Sequence, residues 1–155
     1  MIIIAVDPDT KRIGYSIWED GHLKSWGLID RDEEFLDKMH KLSTTYDKDT
    51  RVLVIEGQWL HPRASKRNVL TFERLVEVRA SIATIFECNG WIPVVVQPQT
   101  WQTNILQCSS QTKRIDRKRY SMRLASELAG QEIDNHNIAD AICLGYWATQ
   151  NVYEE

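Results

Sequence analysis

Three carboxylates stand at the ends or starts of apolar segments. Asp7 closes the run Ile2-Ile3-Ile4-Ala5-Val6, Glu56 closes Val52-Leu53-Val54-Ile55, and Asp140 falls early in an apolar C-terminal segment. A single acid after an apolar run is usually a solvated turn residue. Three acids, each attached to a hydrophobic element, are harder to account for in that way. Brought together, they repel one another and raise each other's pKa unless a cation is present. No cysteine or histidine cage accompanies them, so the donor set is oxygen, which suits Mg²⁺ or Mn²⁺. Two such ions, ~3.5–4 Å apart, can activate a water and stabilise a leaving 3′ oxygen, the chemistry of phosphodiester cleavage.

These acids meet only if particular elements carry them. Residues 2–6 are continuous, apolar and largely β-branched, as in a strand buried on both faces. Residues 13–18 alternate and stop at Asp20-Gly21, a hairpin turn, and residues 22–29 return as a third strand. Phe35, Leu36, Met39 and Leu42 give a helical spacing within 33–46. Residues 51–57 form another buried strand. A long helix is expected over 68–88, ended by Asn89-Gly90, then a fifth strand over 92–96. The C-terminal half is helical, broken near Ser109-Ser110, and its last helix begins after Asp134 as N-cap. The order βββ-α-β-α-β-α-α implies an α/β layer fold with a mixed sheet and helices on its faces. If the first and fourth strands are parallel neighbours, Asp7 and Glu56 emerge together at the carboxyl edge, where open α/β sheets place their chemistry.

The long helix carries two apolar stripes. Val69, Phe72, Val76, Ala80 and Ala83 form one; Leu75, Val78, Ile82 and Ile85 form the other. One stripe covers a sheet. The second implies burial under the C-terminal helices or a subunit interface.

With 155 residues, 43% hydrophobic and 26% charged, the chain reads as one globular domain spanning 1–155 with a real core. No run of 18 apolar residues occurs, so no membrane span is expected, and Asp7 comes too early for a signal-peptide core. Cys88, Cys108 and Cys143 are odd in number and lack C-x-x-C spacing, which reads as reduced thiols without a zinc site and a cytoplasmic location. The net charge of −3 argues mildly against a nucleic-acid partner. The charge is uneven, however. Lys113, Arg114, Arg117, Lys118, Arg119 and Arg123 cluster against Asp116 alone, and Arg63, Lys66, Arg67, Arg74 and Arg79 outnumber Glu73 and Glu77. Such segments can make a local electrostatic footprint.

Four blocks resemble the RuvC-type Holliday junction resolvases, phage and bacterial, of the RNase H-like superfamily. Ile4-Ala5-Val6-Asp7-Pro8-Asp9-Thr10-Lys11-Arg12-Ile13-Gly14-Tyr15 resembles the family's strand, D-P-G and T-G-[YW] opening. Leu53-Val54-Ile55-Glu56-Gly57-Gln58-Trp59 is similar to its strand-E-x-x-aromatic block, Val96-Gln97-Pro98-Gln99-Thr100-Trp101 to V-x-P-[QS]-x-[WV], and Asn137-Ile138-Ala139-Asp140-Ala141 to D-x-x-D-A. The blocks keep the family order over almost the whole chain. The resemblance implies a five-stranded mixed sheet (three strands antiparallel, two parallel), Asp7, Glu56 and Asp140 as metal ligands for Mg²⁺ or Mn²⁺, two ions per site, and a homodimer that nicks branched DNA without a nucleotide cofactor.

The chain departs from that pattern at two positions. Asp9 stands where the family has Gly or Ser, adding charge and removing no ligand. Asn137 occupies the place of the fourth carboxylate. His136 lies four residues before Asp140 on a similar face, so Asn137, His136 or Asp134 remain open as the completing group, and Asn137→Asp is expected to restore the carboxylate. By the same resemblance Lys113 contacts the scissile phosphate, and Trp59 stacks on unpaired bases at the junction. Arg63, Lys66 and Arg67 would hold phosphates beside Trp59; Arg114, Arg117 and Lys118 would extend the track from Lys113. A nuclease for RNA–DNA hybrids and a catalytically weakened junction-binding module are the alternatives. An actin-like ATPase shares the strand-Asp-hairpin opening but needs two lobes and glycine-rich phosphate loops, which seven glycines in 155 residues do not supply.

Overall fold

The computed structural model describes residues 1–47, 50–58, 60 and 62–152. Five strands, β1 (Ile2–Asp7), β2 (Arg12–Glu19), β3 (His22–Asp30), β4 (Arg51–Glu56) and β5 (Ile92–Val96), form one sheet in the order β3-β2-β1-β4-β5. The first three make the expected antiparallel meander, and β4 and β5 add in parallel. Asp20 and Gly21 turn the hairpin with consecutive positive φ angles of 49° and 80°, the pair of left-handed residues that a tight two-residue turn requires.

The β1 register places the site. Val6 pairs with Ile55 on β4, so Asp7 and Glu56 follow on adjacent parallel strands, while Asp7 itself pairs with Gly14 on β2. Alternate β1 side chains enter opposite cores. Ile3 and Ala5 join Trp18, Val52, Val54, Trp101, Ala125, Ile142 and Leu144 on one face. Ile2, Ile4 and Val6 join Leu53, Ile55, Phe35, Met39, Val78, Ile82 and Phe86 on the other. Full burial of each such aliphatic side chain is worth about 1.5–3 kcal/mol relative to exposure, and β1 buries one on every inward position of both faces. The strand that carries Asp7 is thus among the most firmly anchored in the molecule.

Helices α1 (Phe35–Thr44) and α2 (Lys66–Cys88) cover the second core; α3 (Pro98–Ile105), α4 (Arg114–Ala129) and α5 (His136–Asn151) cover the first. Three helices therefore follow β5, where two were expected. The extra one, α3, starts with Pro98 in its first turn, where the fixed φ and missing N–H of proline are tolerated. Helix α2 begins two residues earlier than its periodicity indicated, because the Ser65 side chain accepts from Asn68 N–H and caps it. The cap of α5 is Asn135, whose Oδ1 accepts from the N–H groups of Asn137 and Ile138 at 2.9 and 3.1 Å. Asp134, the expected cap, is exposed one residue upstream.

The two stripes of α2 have different fates. Val78 and Ile82 are fully buried, with Phe86, against the sheet, whereas Val69, Phe72, Val76 and Ala83 are half-buried and Ala80 is exposed. Helix α2 packs on α1, β4 and β5. Burial of its second stripe under the C-terminal helices is excluded, since those lie across the sheet. All three cysteines are free. Among the described residues, no helix is long and apolar enough to cross a membrane.

Candidate metal centre

Asp7, Glu56 and Asp140 converge at the carboxyl end of the β1–β4 pair. The last strand residues deliver Asp7 and Glu56; the second turn of α5, lying across that strand end, delivers Asp140. Asp7 is only 8% exposed, and no described residue donates a hydrogen bond to its carboxylate. Burial pushes its pKa well above the ordinary range, and the nearby charges of Glu56, Asp140 and Asp9 push it further. Glu56 is raised to about 8, by burial first and then by Asp140, against a lowering hydrogen bond from Trp101. Asp140 is also raised by burial, partly offset by a hydrogen bond from Ser121 and by the charges of His136 and Lys118.

Each of the outer two acids is held by one donor. Trp101 Nε1 donates to Glu56 Oε2 at 2.8 Å, and Ser121 Oγ donates to Asp140 Oδ1 at 2.6 Å. Among the described residues, no three histidine, cysteine, aspartate or glutamate side chains are gathered closely enough to hold a metal ion as they stand. The acids are nevertheless near enough for their charges to act on one another.

That space is an open cleft of about 500 Å³. Asp9, Glu56, Asn137 and Asp140 line it together with Arg114, Arg117, Lys118 and His136. Asn137 is 8% exposed, and its Nδ2 donates to Asp9 Oδ2 at 3.2 Å. Arg117 is oriented by two hydrogen bonds from Nε and Nη2 to the carbonyl of Thr112. A divalent cation fits this arrangement on two grounds. The donors are hard oxygens, and the buried Asp7 carboxylate lacks the compensation that burial of a charge requires.

Of the residues expected to act, Glu56, Asp140, Asn137, His136, Arg114, Arg117 and Lys118 line this space; Asp7 does not line it but is near enough for the charges of Glu56 and Asp140 to act on it. Lys113 is not among its lining residues; it is the exposed N-cap of α4. Arg63, Lys66 and Arg67 are exposed at and just before the start of α2, and Leu75, two turns further along that helix, reaches the cleft. Trp59 lies outside the described residues. Sequence reasoning did not single out Ser121, and it quoted Gly14 only within the hairpin-entry block. Ser121 sits in register with Ala125 and Leu128 on α4, and a hydroxyl within that otherwise apolar stripe is the signal it leaves. Trp101 was quoted in a block without a role; its indole N–H is now accounted for.

No protein-family profile and no curated protein sequence matches the chain. Solved structures do. The fowlpox virus Holliday junction resolvase superposes with a TM-score of 0.67 at 18% identity, over 98% of this chain and 100% of that one. Thermus thermophilus RuvC in complex with a Holliday junction substrate gives 0.66 at 10% identity, over 97% and 96%. The yeast mitochondrial Holliday junction resolvase gives 0.51 at 14% identity, over 96% of this chain and 78% of that one. Across nearly its whole length, the chain has the RNase H-like fold of the RuvC and poxvirus resolvases.

Proposed function

We propose that this chain is a divalent-metal-dependent endonuclease that cuts four-way DNA junctions as a two-fold dimer. One observation carries the reading: three mutually repelling carboxylates, Asp7 buried and Glu56 and Asp140 half-buried, gather at a cleft that Arg114, Arg117 and Lys118 also line, on a fold shared with junction resolvases.

Asp7, Glu56 and Asp140 would hold the ion, with Mg²⁺ or Mn²⁺ as the class and two ions as the expected number. When bound, such ions supply Lewis-acid activation of water and charge stabilisation at the leaving oxygen. Trp101 and Ser121 fix one oxygen each of Glu56 and Asp140, leaving the other oxygen of each carboxylate for the cleft. Arg114, Arg117 and Lys118 neutralise a phosphate drawn toward the acids, and without them the acids would repel it. Arg63, Lys66 and Arg67 extend positive charge along the approach to α2.

The dimer reading rests on α2 and its neighbour β5. Leu70 on α2 and Val95 on the α2 face of β5 are 56% and 47% exposed. A junction presents two equivalent strands to cut, and two-fold symmetry brings one site to each.

Incubation with a labelled four-way junction, with and without Mg²⁺, beside linear duplex and RNA–DNA hybrid, tests the proposal. Paired nicks in the junction that need Mg²⁺ are expected. Preferential cleavage of the hybrid would replace the junction reading with the hybrid nuclease, and tight junction binding without cleavage in Mg²⁺ would replace it with the binding module.

A further inference from the structure

Asp9 and Asn137 lie 128 residues apart in sequence and share one hydrogen bond at the mouth of the cleft. A carboxylate can only accept, so the side of the Asn137 amide that faces Asp9 is its Nδ2. The planar amide then turns Oδ1 away from Asp9. The same carboxylate caps its own loop, its Oδ1 accepting from Thr10 N–H at 2.5 Å. Asp9 is thereby fixed from the chain side and holds Asn137 from the other. Both residues line the cleft with Glu56 and Asp140, and Asn137 is buried, so its amide has little freedom to turn over.

Building on the metal-dependent reading above, we propose that Asp9 is a positioning residue for Asn137. It holds the amide nitrogen and presents the amide oxygen to the cation bound among Asp7, Glu56 and Asp140. Asp9 and Asn137 then work as one unit, with the negative charge on the loop and the neutral ligand on the helix. This reverses the expectation that Asn137→Asp restores function. A carboxylate at 137 would face the carboxylate of Asp9 across the present hydrogen-bond distance of 3.2 Å, with no proton donor between them.

The test measures Mn²⁺ binding by calorimetry on the DNA-free protein, with melting in EDTA as the control for folding. Asp9→Ser keeps a short oxygen to cap the loop but cannot reach Asn137; Asp9→Asn keeps a reaching acceptor. Loss of a group that orients a metal ligand weakens binding about 10-fold or more. Asp9→Ser and Asn137→Ala are each expected to weaken Mn²⁺ by about 10-fold. The double variant should be no weaker than Asn137→Ala, because Asp9 acts through Asn137. Asp9→Asn should retain most of the affinity. Multiplying losses in the double variant, or unchanged affinity in Asp9→Ser, would overturn the proposal while leaving the metal site standing. Should Asp9→Ser fail to fold, Asp9→Asn combined with Asn137→Asp decides instead: recovery of the Mn²⁺ affinity lost in Asn137→Asp alone supports the unit, and no recovery refutes it. Wild-type protein that binds no Mn²⁺ would sink both this proposal and the function on which it rests.

Discussion

Trp101 Nε1 donates to Glu56 Oε2 at 2.8 Å, from a side chain with no solvent exposure at all. The indole both packs and holds an acid: its ring lies in the core between the sheet and the C-terminal helices, and its N–H fixes the carboxylate at the end of β4. Trp101→Phe keeps most of the ring and removes the donor. Glu56 then loses the one interaction that opposes its raised pKa. We expect Mg²⁺-supported cleavage at neutral pH to fall by about 10-fold or more, with a stability loss of about 1–3 kcal/mol from the smaller ring and the lost bond. Activity that saturates at wild-type Mg²⁺ concentrations would show that the indole matters only for packing.

The raised acids make stability depend on pH in an unusual direction. Glu56 titrates at about 8 in the folded chain, against 4.5 ordinarily. Between those values the folded state holds more protons than the unfolded one, so metal-free stability falls as pH rises from about 4.5 to about 8, then levels. Glu56→Gln removes its share of that slope. In chelator at pH 8 it should melt higher than wild type by about 2–8 °C, a gain of about 1–2 kcal/mol. Cleavage should be abolished in Glu56→Gln, as in Asp7→Asn and Asp140→Asn, with junction binding kept or tightened because negative charge facing the phosphates is gone. Melting curves at several pH values, with and without Mg²⁺, check this. Full cleavage by any two of the three variants would remove these residues from the site.

Lys118 and Lys113 stand differently toward the cleft. Lys118 lines the cleft and its charge lowers the pKa of Asp140, while Lys113 caps α4 at the surface. Lys118→Ala should reduce the rate of junction cleavage by about 100-fold, the scale of losing one preorganised charge at a reacting phosphate. Lys113→Ala should stay within about 3-fold, as for a screened surface contact. Single-turnover rates at saturating enzyme distinguish the two. Equal losses would mean that the α4 N-terminus reorganises on DNA.

How much of this could be read from residues alone follows from where the constraints lie. Asp7 and Glu56 were legible because an unbroken apolar run fixes a buried strand and the first charge after it fixes the strand end. Their adjacency needed only a parallel β1–β4 pairing. The cap of α5 was misplaced by one residue because Asp134 and Asn135 are both good N-caps, and only tertiary packing selects between them. Lys113 and Lys118 belong to one basic run whose solvent and cleft faces depend on where α4 starts. Ser121 and the Asp9–Asn137 bond join segments far apart in sequence, and no local period encodes which polar group meets which.

Gly14 shows the same limit and yields the last prediction. It pairs with Asp7 across β1 and β2, and a Cβ at this position would collide with the carbonyl of Asn137 and crowd the N–H of Ile138. The backbone of β2 therefore lies directly against the first turn of α5, and we expect this contact to set how closely Asn137 and Asp140 approach Asp7. The obstructing atoms belong to helix backbone, so a side chain cannot simply swing aside. Gly14→Ala must displace the start of α5 or bend β2, each at a cost of about 1–3 kcal/mol. We expect the variant to fold, because both cores lie mainly beyond this contact, and to melt lower by about 2–12 °C. Cleavage should fall by about 100-fold, since a displacement of about 1 Å suffices for such a loss. Mn²⁺ affinity should drop with it, which separates a displaced site from a merely less stable one. Wild-type affinity and rate at a temperature where the variant is fully folded would show that α5 does not take its distance from Asp7 through Gly14.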